Sequence, residues 1–218
     1  MISIGREIKE VFPDIVVGYL SGSVRNSENH PVVWNLIKKR SHEIASTMDA
    51  ESIRQVEGIR LGKNSYRQLG KDPNRYRLSA EALMRRIVKG QELYCINTVV
   101  DILNLVSIET GITIGGFDQS LIQGDIILGI GQPGEEFEAI GRGPLNVECL
   151  PVYRDRVGVI GSPTSDCMRT RILTETGSIL MLITGFYGHA MPVPVIDRLT
   201  GYLAEYCNLQ NETSGIIT

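Results

Sequence analysis

The run GSPTSD at residues 161–166 sets Ser162, Thr164, Ser165 and Asp166 beside a Gly-Pro bend, with Arg169 and Thr170 just beyond. Short hydroxyls and a carboxylate in such a loop can orient a polar ligand or a water molecule. Asp166, Ser165 and Thr164 are the candidates to orient an attacking water, and Arg169 to hold a phosphate or carboxylate. The competing reading is plain turn chemistry, in which the same side chains bond local backbone N–H groups. A Ser/His/Asp triad would need His189 as its downstream base, and nothing in the sequence places it there.

A second constellation lies in INTVVDILNLVSIETG, residues 96–111. At about 100° per residue, Asn97, Asp101 and Asn104 fall in one sector roughly 60° wide on an otherwise apolar helix. Asn and Asp cost roughly half a kcal/mol each there against Ala, so something other than helix propensity selects them. The stripe suits the wall of a pocket, or a network that caps the helix and tethers loops. GGFD at 115–118 adds Gly115 and Gly116, where backbone can approach a ligand or turn sharply, followed by Asp118.

Other motifs fail on context. GIGQPG at 129–134 matches a dinucleotide fingerprint letter for letter, but Pro133 and the alternating EEFEAI predict a turn between strands where that motif needs a helix. The NET run at 211–213 is a glycosylation sequon only in a secreted chain. Cys95, Cys149, Cys167 and Cys207 form no C-x-x-C pair and read as free thiols; with His30, His42 and His189 equally scattered, no metal site and no cofactor are predicted.

These groups sit in a chain of 218 residues with 42% hydrophobic and 22% charged residues, enough for one globular domain with a sizeable core. The N-terminus lacks the features of a signal peptide, and no run approaches 18 consecutive apolar residues, so a cytoplasmic protein without a membrane partner is expected. The formal net charge of −3 is unevenly spread: residues 1–90 carry 16 Lys and Arg against 10 Asp and Glu, residues 91–218 carry 6 against 15. The basic share includes Arg67, Lys71, Arg75, Arg77, Arg85 and Arg86, which can track a phosphate backbone if helix packing gathers them, and otherwise form a solvated face.

DIVVGYLSGSV predicts a first strand, and helices follow from Pro31 onward, with glycine stops in AESIRQVEGIRLGKNSYRQLG. Ser79 is placed as the N-cap of AEALMRRIVK and Asn97 as the cap of the next helix. From Gly111 the pattern turns to strands: GITIGGFD, DIILGI, EEFEAI, a hairpin around Arg154–Arg156, and the buried run SILMLITGF. PVPVIDRLTGYLAEYCN reads as a closing helix and LQNETSGIIT as a loose tail. Helices first and strands afterward predict an α+β fold.

Taken together, INTVVDILNLVSIETGITIGGFD, the strand pair after it and RTRILTETGSILMLITGF resemble the tRNA-binding and editing module of the bacterial phenylalanyl-tRNA synthetase beta subunit, its B-three/B-four domain. The pattern I-N-x-V-V-D-x-x-N is met by Ile96, Asn97, Val99, Val100, Asp101 and Asn104, and the terminal F-D by Phe117 and Asp118. The resemblance covers roughly residues 75–187. It implies a β-sandwich-like core of unusual topology flanked by helices. The chain then divides into an N-terminal strand and basic helices (1–74), the module core (75–190) and a C-terminal helix and tail (191–218). It further implies tRNA or aminoacyl-tRNA as partner, with a free amino acid as another ligand, and hydrolysis of a mischarged aminoacyl ester or a binding module that has lost hydrolysis. Asn97, Asp101, Asn104, Gly115, Gly116, Asp118, Ser162, Arg169 and Thr170 would line or support its pocket. Where the synthetase pattern has a His and a Glu, this chain has Gly115 and Pro163. The oligomeric state is left open.

Overall fold

A computed structural model of the chain describes residues 1–188 and 190–218. It begins with β1 (Ile2–Ile4), α1 (Arg6–Val11) and β2 (Val16–Ser23). Five helices follow: α2 (Pro31–Thr47), α3 (Ala50–Gln55), α4 (Glu57–Gln68), α5 (Ser79–Val88) and α6 (Thr98–Thr110). The strands β3 (Gly115–Asp118), β4 (Ile126–Ile130), β5 (Glu138–Ala139), β6 (Gly143–Pro144), β7 (Pro151–Arg154), β8 (Val159–Ser162), β9 (Ser165–Asp166) and β10 (Ser178–Gly185) come next, then α7 (Pro192–Cys207) and β11 (Gln210–Ile217). The fold is α+β, as expected.

One sheet has the order β1-β4-β7-β8-β9, with β1 parallel to β4 and the remaining pairs antiparallel; a second, wholly antiparallel, has the order β11-β2-β10-β3; and β5 and β6 form a small two-stranded sheet. The alternation along β10 explains how the layers assemble. Leu180 and Leu182 join Val17 and Phe117 against Ile126, Leu128, Tyr153 and Ile160 of the facing sheet, closing a sandwich core. Ile179, Met181 and Ile183 point the other way, into a larger core with α2, α5, α6 and α7. With both faces covered, β10 reads as an unbroken apolar run. Three layers result: sheet, sheet and helices.

Several expectations need correction. The segment predicted as a loose tail is β11, paired along β2. An edge strand is held by main-chain hydrogen bonds and can stay polar on its open side, so NETS carries no apolar alternation to reveal it. At the N-terminus, Ile8 and Phe12 of α1 fill the sandwich core, and β2 lies inside its sheet. EEFEAI keeps only the two-residue strand β5, α4 runs through Gly58, and β3 starts at Gly115 rather than Gly111. Ser79 is the first residue of α5 and caps nothing; its N–H donates to the Pro163 carbonyl at 2.9 Å. GIGQPG straddles the end of β4 and the turn at 133–134, where no helix opens. Among the described residues no helix is long and apolar enough to cross a membrane.

Candidate functional site

The contact between Ser79 and Pro163 sets the geometry of the site. The first N–H groups of a helix have no partner inside it. Here one of them is satisfied by the turn between β8 and β9, and α5 is thereby pinned by its N-terminus across the sheet edge. The wedge between α5, the 89–97 loop, α6 and the β8–β9 turn opens as a cleft of about 890 Å³.

Its floor is built from small residues. Gly116 and Gly161 lie beneath Asp166: a Cβ on Gly161 would come within 2.8 Å of Asp166 Oδ1, and one on Gly116 within 2.6 Å of Leu103 Cδ1. Both positions exclude larger side chains because the carboxylate and the apolar wall occupy that space. Asp166 Oδ2 accepts one hydrogen bond, from the Gly116 N–H at 3.0 Å. Protein surrounds the carboxylate on every side except the cleft, and this loss of hydration pushes its pKa up to about 7 against the single opposing N–H bond. Asp166 is the one carboxylate in the lining among the described residues, and the same lining holds six cations: Arg77, Arg85, Arg86, Lys89, Arg142 and Arg171.

The mouth carries an unusual pair. Tyr94 is 67% exposed and Ile96 52%, both on the irregular 89–97 loop. The Arg86 guanidinium lies 4.1 Å from the Tyr94 ring centroid, a cation–π stack, and its Nε donates to the Glu92 carbonyl at 2.6 Å. A planar, positively charged platform is thus fixed beside the opening. The walls inside are apolar, from Val100, Leu103, Ile114 and Ile172.

The polar stripe of α6 divides in two. Asn97 is the N-cap: its side-chain oxygen accepts from the Val100 N–H at 3.0 Å and its amide donates to the Ile172 carbonyl at 3.2 Å. Asp101 is buried off the cleft and accepts from Trp34 Nε1 at 2.7 Å, the Ile96 N–H at 3.1 Å and Cys95 Sγ at 3.6 Å. Burial still outweighs these bonds and raises its pKa. Asn104 lines the cleft and its amide makes no hydrogen bond among the described residues.

The GSPTSD loop divides similarly. Ser162 accepts from the N–H groups of Thr164 and Ser165 at 3.3 and 3.4 Å, the turn chemistry that competes with function. The Thr164 hydroxyl bonds that of fully buried Tyr66 at 2.9 Å, and Ser165 Oγ donates to the Asp166 carbonyl at 3.3 Å. All three face the cleft with hydroxyls already engaged. Arg169 lies outside it, donating to Asp155 Oδ1 at 2.7 Å and to the Leu121 carbonyl. Burial works against the Asp155 charge, but Arg169 and three backbone N–H groups prevail and hold its pKa below the ordinary carboxylate value. Asp118 is spent on Ser120 and Thr176, Thr170 is fully buried away from the cleft, and Gly115 lies one residue behind the lining. His189 lies outside the described residues.

The basic residues do not form one face. Arg77, Arg85 and Arg86 line the cleft. Lys71 is buried, donates to the carbonyls of Asn146 and Glu148, and sits 3.9 Å over the Tyr76 ring; burial lowers its pKa. The Arg75 guanidinium lies 5.6 Å from the centroid of the same ring, and Arg67 lies on α4, in a separate groove. Sequence reasoning missed Arg142, Arg171 and the Tyr94–Arg86 platform. An aromatic residue next to a helix rich in arginine, in YCIN after RRIVKGQEL, was the available signal. Among the described residues no three His, Cys, Asp or Glu side chains gather to hold a metal ion.

No curated protein sequence matches the chain. Its fold is similar to an N-terminal fragment of the phenylalanyl-tRNA synthetase beta-subunit from Pyrococcus horikoshii, at 15% identity and a TM-score of 0.46. All of this chain aligns there, spanning half the length of that fragment. The family model of the B3/4 domain matches residues 62–208, which include α5, α6 and every lining residue of the cleft. The chain belongs to the B3/4 domain family.

Proposed function

We propose that the cleft receives the aminoacylated 3′ end of a tRNA and hydrolyses the ester that joins amino acid to ribose. The observation that carries this reading is Asp166: a carboxylate whose pKa burial raises to about 7, with one oxygen unbonded, at the floor of a cleft whose lining also carries six cations. A general base works best when its pKa lies near the working pH. Asp166 takes a proton from water as the water oxygen attacks the acyl carbon. The tetrahedral intermediate collapses with cleavage of the bond to the ribose oxygen, which leaves with the proton that Asp166 returns. The Asn104 amide is free to donate to the acyl oxygen. Arg77, Arg85 and Arg142 meet phosphates, and the Tyr94–Arg86 platform stacks the terminal base, as aromatic and guanidinium planes do for single-stranded ends. The apolar inner walls suit an uncharged amino-acid side chain.

A second reading is a module that binds the same end without hydrolysis. Gly115 and Pro163 in place of the family's His and Glu favour it, as do the engaged hydroxyls of Ser162, Thr164 and Ser165.

Deacylation of a panel of correctly and incorrectly charged tRNAs separates the two. Hydrolysis of a mischarged species, reduced about 10²- to 10⁴-fold in Asp166→Asn, is the expected result for a general base. Tight binding with stable esters throughout selects the second reading.

A further inference from the structure

A second basic surface lies outside the cleft. Residues of α3 and α4 border a groove of about 440 Å³ lined by Arg54, Arg60, Lys63 and Arg67, with Glu51 its one acidic neighbour among the described residues. Glu51 is taken by Arg54 at 3.0 Å. Arg60 makes no side-chain ion pair among the described residues, and Arg67 donates only to the neutral amide of Asn64, at 2.7 Å. Their charges are therefore uncompensated. Arg60, Lys63 and Arg67 follow at spacings of three and four, which align them on one face of α4.

The groove is joined to the cleft through a buried ion triad. Glu81 is completely buried, and its Oε1 accepts from Lys63 Nζ at 3.2 Å and from Arg85 Nε at 2.7 Å. Lys63 faces the groove and Arg85 faces the cleft. Such a triad is a poor device for stability, because desolvating three charges offsets most of their attraction and apolar residues would serve as well. What it does achieve is a net positive charge divided between two surfaces at a fixed separation.

From this we propose that the α3–α4 groove is a second phosphate-binding site, gripping the backbone of the polynucleotide whose end enters the cleft. The inference rests on the nucleic-acid reading of the cleft and adds a contact that an isolated 3′ end cannot reach. The cleft selects the terminus, and the groove adds affinity that depends on the rest of the molecule.

The test measures binding of full-length uncharged tRNA, and of a short single-stranded oligonucleotide ending in the tRNA 3′ sequence, across a salt series. Wild type is compared with the double variant Arg60→Gln, Arg67→Gln, two exposed changes that leave the core untouched. Wild type should bind the full-length RNA more tightly than the oligonucleotide. The variant should lose about tenfold of that gain, with a salt slope shallower by about two, since each phosphate contact contributes just under one. Equal affinities and slopes for the two proteins on full-length tRNA would overturn the groove and leave the cleft reading standing. A wild type that binds neither RNA would overturn both.

Discussion

Asp101 and Asp166 are both aspartates whose carboxyls burial pushes upward, yet they are furnished in opposite ways. Asp101 accepts from an indole, a backbone N–H and a thiol, and has no face toward the cleft. Asp166 accepts from one N–H and keeps an oxygen at the floor of the cleft. Buried polar groups in proteins are ordinarily satisfied by the protein itself. Asp101, Asn97, Asp118 and Asp155 follow that rule and hold the structure together. Asp166 and Asn104 are half-buried and differ: in the cleft one carboxylate oxygen and one amide take no bond from the protein, and a ligand can meet them there.

The largest effect expected from this contrast is on stability against pH. The folded pKa of Asp166, about 7, lies above the ordinary 3.8, so the native state keeps a proton that the unfolded chain gives up. Its contribution is intact below about pH 4, declines as pH rises, and is gone above about 7, a swing of up to about 4 kcal/mol before screening by cleft water. Thermal unfolding of wild type and Asp166→Asn from pH 4 to 8 should therefore diverge, with the variant the more stable at pH 8. Asp101, also raised, leaves a smaller slope of the same sign in both proteins. Parallel curves would mean that Asp166 ionises as an ordinary surface carboxylate, and the contrast with Asp101 would collapse.

Asp101→Ala tests the other half. Removing the acceptor leaves Trp34 Nε1 and the Ile96 N–H without their partner at a part-buried site, so stability should fall by about 1–3 kcal/mol. Chemical denaturation should show a lower midpoint with an unchanged slope. Ester hydrolysis should follow the folded fraction alone. A stable Asp101→Ala protein that loses hydrolysis would place Asp101 with Asp166 instead.

The sequence disclosed what periodicity and punctuation encode: β2, the helices from Pro31 and Pro192, the cap at Asn97 and the buried run of β10. It could not disclose β11, because an edge strand is fixed by backbone pairing and its side chains carry no pattern. It misjudged Ser79 because the donor at the head of α5 finds a distant carbonyl, that of Pro163, in place of a local hydroxyl. Within the site, GSPTSD and the α6 stripe were legible as polar constellations. Which of their members stay unsatisfied was not, since saturation depends on partners as far off as Trp34 and Tyr66. Arg142 and Arg171 come from an otherwise acidic half and meet the α5 cations only in three dimensions.

Asn104 and Asn97 give the smallest and sharpest version of the comparison, two asparagines on the same helix. Asn97→Ala removes a cap and a tether to Ile172, and should cost about 1 kcal/mol of stability. Asn104→Ala removes no bond that the protein makes, and Ala is the better helix former, so stability should stay within about 0.5 kcal/mol of wild type or rise slightly. If the Asn104 amide donates to the acyl oxygen, the same change should lower kcat/KM for a hydrolysed ester by about three- to tenfold, the worth of one hydrogen bond. Unaltered kinetics would remove Asn104 from the site. A stability loss equal to that of Asn97→Ala would show that its amide has a partner in the folded protein after all, and the contrast between the two asparagines would disappear.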